Sequence, residues 1–60
     1  MNTITLELSD DQADALSQFV KRVCLSDLRQ QATSDNEADL MQQSMIIIQR
    51  KLAESGFNPR

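Results

Sequence analysis

Apolar residues follow two rhythms along this chain. Ile4, Leu6 and Leu8 alternate with Thr3, Thr5 and Glu7, the period-2 pattern of a half-buried β-strand. From Ala13 onward the step becomes three and four. Ala13, Leu16, Phe19, Val20, Val23, Cys24 and Leu28 fall on one helical stripe. Between the two rhythms, Ser9 and Gln12 have the spacing of a capping box, with Leu8 and Ala13 placed to form the accompanying hydrophobic staple. The first helix is expected over about residues 10–31, because neither Gly nor Pro interrupts it. Ser26-Asp27 leaves open a kink and a restart. Thr33-Ser34-Asp35-Asn36 is the strong turn signal, and Ser34 with Glu37 repeats the capping-box spacing. A second helix is expected over about residues 35–55. It should stop at Gly56 in the left-handed C-terminal position, with Phe57 folding back towards Leu52. Residues 57–60 read as a tail.

The second helix carries the most informative pattern. Ala38, Met41, Met45, Ile48 and Leu52 form one stripe, and Leu40 and Ile47, one heptad apart, form another. The run Met45-Ile46-Ile47-Ile48 sweeps about 300° of arc at roughly 100° per residue, more than one neighbouring helix can cover. A helix apolar nearly all round is a buried helix. A chain of 60 residues has little other protein with which to bury it. The lone strand at 3–8 poses the same problem, since a strand must pair and the chain offers no second one.

These patterns predict a mainly α fold in a single domain over residues 1–60. An N-terminal β-strand leads into a two-helix antiparallel hairpin, which dimerises through strand pairing and the second helix. The expected dimer interface comprises Ile4, Leu6, Leu8, Leu40, Met45, Ile46, Ile47 and Ile48.

Composition sharpens this picture mainly by exclusion. Domains this small usually need disulfides, a metal or self-association to be stable. One cysteine and no histidine rule out an intrachain disulfide and leave too few ligands for a zinc site. Self-association remains. No catalytic residues, metal ligands or cofactors are expected. Cys24 lacks a histidine base and is read as a small buried hydrophobe. The i,i+4 carboxylate pairs Asp10/Asp14 and Asp35/Asp39 have no evident cleft to shift their pKa values. With a single glycine there is no phosphate-cradling loop.

The net charge of −3 disfavours nonspecific nucleic-acid binding, which depends on many phosphate-contacting cations. Asp10, Asp11 and Asp14 open the first helix; Asp35, Glu37 and Asp39 open the second. These acids suit the positive end of the helix dipole, and they are also the candidate contacts to a protein partner. No segment reaches the roughly 20 apolar residues of a membrane span, and the first residues lack a signal-peptide pattern. The expected location is the cytoplasm.

In its strand–helix–helix order the chain resembles ribbon-helix-helix DNA-binding proteins, whose paired strands lie in the major groove. That resemblance implies Thr3 and Thr5 as DNA contacts. Glu7 departs from it, having no Arg or Lys beside it, as does the long uninterrupted first helix. The stretches Thr3–Ala13, Ala15–Val23 and Leu52–Arg60 resemble a family of very short proteins of unknown function from bacteria, their prophages and plasmids. Cys24 stands where that family's pattern has a glycine, so a straighter first helix is expected. The resemblance implies a small mobile-element accessory protein that binds or inhibits a host complex, for example CRISPR or another defence system. The expectation is a dimeric, non-enzymatic protein-interaction module. A DNA-binding regulator or antitoxin is the alternative, and a structural assembly subunit the third reading.

Overall fold

The computed structural model describes residues 1–58; the expected tail at 57–60 therefore lies partly outside the described residues. Three helices follow one another: α1 (Asp10–Arg22), α2 (Leu25–Gln31) and α3 (Asp35–Glu54). Among the described residues there is no strand. This corrects the expected N-terminal β-strand and the dimer built on strand pairing. Residues 1–9 have no regular structure and are exposed throughout. The alternation of Ile4, Leu6 and Leu8 fits a strand, but a strand also needs a partner for its backbone, and this chain supplies none.

The start of α1 follows the sequence closely. Ser9 Oγ accepts from the Gln12 N–H at 3.1 Å, and Gln12 Oε1 accepts from the Ser9 N–H at 3.0 Å. That reciprocal pair is a capping box. Acids Asp10 and Asp11 sit in the first turn and bases Lys21 and Arg22 in the last, both favourable to the helix dipole.

The single helix expected to about Gln31 is instead two. α1 ends as Val23 and Cys24 turn to extended backbone, with φ/ψ of −67°/131° and −112°/168°. The cause is local competition for one donor. In a continuing helix the Cys24 N–H would bond to the carbonyl four residues back. Here it donates to Asp27 Oδ2 at 3.0 Å. The carboxylate thereby caps a new helix, and α2 begins at Leu25. Cys24 is exposed, not a buried part of the α1 stripe, and the straighter helix inferred from its replacing a glycine is not found.

α3 starts with Ser34 Oγ accepting from the Glu37 N–H at 3.1 Å. The return arm of the expected capping box goes elsewhere: Glu37 accepts from the Thr33 N–H at 3.1 Å and from its hydroxyl at 3.3 Å. At the other end, Gly56 has φ +96°. Its N–H donates to the Ala53 carbonyl at 3.0 Å, and the Phe57 N–H donates to the Leu52 carbonyl at 2.9 Å. That pair of bonds defines a Schellman ending, as the sequence indicates.

Both α1 and α2 pack on α3. The buried apolar residues are few and mostly small: Ala13, Val20, Ala38 and Leu52. Ser17 is fully buried beside them, and Gln18 nearly so. The Ser17 hydroxyl is satisfied within its own helix, donating to the Asp14 carbonyl at 2.7 Å. The molecule measures 33 × 28 × 15 Å.

Candidate interaction surface

The large apolar side chains lie mostly on the outside. Ile4 is 77% exposed, Leu6 67%, Phe19 58%, Ile47 55%, Leu40 53% and Ile46 51%. On α3 the two stripes read from the sequence separate cleanly. Ala38 and Leu52 are buried and Met41, Met45 and Ile48 half-buried, so that stripe faces α1 and α2. Leu40 and Ile47 project on the opposite side, two turns apart. Ile46 stands at the rim of a groove of about 350 Å³, where Val20, Val23 and Leu28 face Met45 and Gln49. Of the eight residues expected at a dimer interface, then, Leu40 and Ile47 share one outward face. Met45, Ile46 and Ile48 lie at its edges or inside, and Ile4, Leu6 and Leu8 are carried on the unstructured leading segment.

Phe19 was expected on the inner stripe of α1 and is outside. The buried line runs Ala13, Ser17, Val20, the i, i+4, i+7 rhythm of one helix face. Phe19 lies two residues beyond Ser17, or about 200° round the helix, on the far side. Reading by hydrophobicity misses this because the residue at the centre of the buried face is a serine. The spacing of small residues is the signal that could have found it.

The acidic candidates form no common site. Asp10, Asp11, Asp35 and Asp39 are exposed, and Asp14 is half-buried. Glu37, also half-buried, is engaged with Thr33. Among the described residues no group of three or more His, Cys, Asp or Glu could hold a metal ion. Thr3 and Thr5 lie in the exposed leading segment, so the ribbon on which they would meet DNA is absent. Among the described residues the carboxyl clearly perturbed is that of Asp27. The Cys24 backbone N–H, and after it the Cys24 thiol donating at 3.1 Å, hold it below the ordinary carboxylate range. Its role is to cap α2. Among the described residues no helix is long and apolar enough to cross a membrane.

A family model matches residues 1–60. The chain belongs to DUF7706, a family of unknown function. No curated protein and no solved structure matches it. For DUF7706, then, membership brings no site residues with it, and the surface described above is the chain's own evidence. It consists of the outward stripe of α3, the rim at Ile46, Phe19 and the leading segment.

Proposed function

We propose that this DUF7706 chain is a self-associating protein-interaction module that acts by contact, not catalysis. One observation carries the reading: Ile4, Leu6, Phe19, Leu40, Ile46 and Ile47 are all more than half exposed, while the buried apolar set is Ala13, Val20, Ala38 and Leu52. Large apolar side chains left in water in this proportion leave burial energy that association can recover. The leading segment is the natural contact for a foreign protein. Among the described residues its backbone donors and acceptors ahead of Ser9 have no partner, and Ile4, Leu6 and Leu8 alternate as an added strand requires. A host complex, such as a defence system, is the partner class implied by the resemblance to prophage and plasmid proteins. DNA reading by a strand ribbon loses its support along with the strand.

Affinity capture with the full chain from its native host should recover a defined protein at constant stoichiometry. Leu6→Glu alters a residue outside the core, so it should abolish that capture while leaving the circular dichroism spectrum unchanged. Recovery of the chain alone across salt concentrations would overturn the reading.

A further inference from the structure

We infer that the outward face of α3 is covered by α3 of a second copy, lying antiparallel across a two-fold axis near Ser44. The inference rests on the self-association proposed above and goes on to name its surface and geometry.

Two observations lead to it. The first is area. A compact monomer of 6.8 kDa has about 4,000 Å² of accessible surface; this chain exposes 4942 Å². The excess, shared by the leading segment and the apolar outer residues, is on the scale of the roughly 800 Å² that each partner contributes to a standard interface. The radius of gyration agrees: 12.2 Å, against about 10.4 Å for a compact domain of this length.

The second observation selects the occupant. The outer face of α3 is complementary to itself. Leu40 and Ile47 lie four residues before and three after Ser44, while Glu37 and Lys51 each lie seven residues from it on opposite sides. Turned end for end about Ser44, one helix sets its Leu40 beside the other's Ile47 and its Glu37 beside the other's Lys51. This is the reciprocal matching that a two-fold interface requires. Parallel pairing would set Glu37 against Glu37 and Lys51 against Lys51. Ser44 suits the crossing point because it is small and its hydroxyl is already satisfied, donating to the Leu40 carbonyl at 2.8 Å. Among the described residues Lys51 is held by Glu54, at 3.2 Å and largely exposed, and half-buried Glu37 accepts from Thr33 at 3.1 and 3.3 Å. Contacts between such surface groups are weak enough to rearrange at an interface.

Sedimentation equilibrium on the full chain reads the mass, and should give twice 6.8 kDa. Leu40→Glu and Ile47→Glu should each raise the dimer dissociation constant by at least about thirtyfold. Helicity should persist, because both residues lie outside the core. Geometry is tested in a Cys24→Ser background. Ser44→Cys should form an intermolecular disulfide on mild oxidation, and Glu37→Cys should not. A monomeric mass at millimolar concentration would remove self-association and this interface together, leaving partner capture standing. A dimer unaffected by both glutamate variants, or one cross-linked through Glu37→Cys and not Ser44→Cys, would overturn the α3 pairing alone.

Discussion

At the scale of single residues, Gly56 and Cys24 show how much local chemistry decides here. Gly56 holds φ +96°, a backbone region that costs an L-residue with a side chain roughly 1–2 kcal/mol. A Cβ added there would meet nothing within 4 Å, so the penalty is purely conformational. Gly56→Ala should therefore lower stability by about 1 kcal/mol and Gly56→Val by more, whereas Gly56→Asn, which tolerates this region, should lose least. Urea denaturation of the three variants checks that order. The glycine was legible in the sequence because its role depends only on its neighbours. The position of Cys24 was not. Cysteine is an ordinary member of an apolar stripe, and nothing in its own chemistry announces that Asp27 will take its N–H.

Among the elements, α2 is the weak one. Seven residues are too few to persist as a helix without packing or caps, and its start depends on the Asp27 carboxylate. The folded-state pKa of Asp27 is depressed by the Cys24 N–H and thiol. A depressed carboxyl contributes stability above its unfolded value, near 3.9, and that contribution is lost as pH falls through the lower folded value. Below about pH 4 the amides of α2 should lose hydrogen-exchange protection before those of α3, and Asp27→Asn should remove that pH dependence. Simultaneous loss in both helices would show that the cap is not what holds α2. The break between α1 and α2 was open in the sequence at Ser26-Asp27 and falls three residues earlier, at Val23-Cys24. The absent strand was a different kind of miss. Alternation reports which side chains share a face, but whether a strand forms depends on a partner backbone that the pattern does not contain.

For the molecule as a whole, the core is modest and the perimeter apolar. Of the candidate surface, the two stripes of α3 were readable because 3.6-residue periodicity separates them by angle alone. The outward placement of Phe19 was not, since a buried serine sets the orientation of α1. If copies associate, folding is linked to concentration by mass action. The melting temperature should rise measurably between micromolar and millimolar protein, and Ile47→Glu should flatten that rise. A melting temperature independent of concentration in the unsubstituted chain would contradict self-association.

The eight residues ahead of Ser9 bear on encounter as well as on affinity. At about 3.3 Å per residue they can extend some 26 Å, comparable with the 33 Å length of the folded part and its arm together. Under the strand addition proposed above, that reach would let a partner's sheet edge be engaged before the two bodies touch. Shortening the segment should then slow association more than it hastens release.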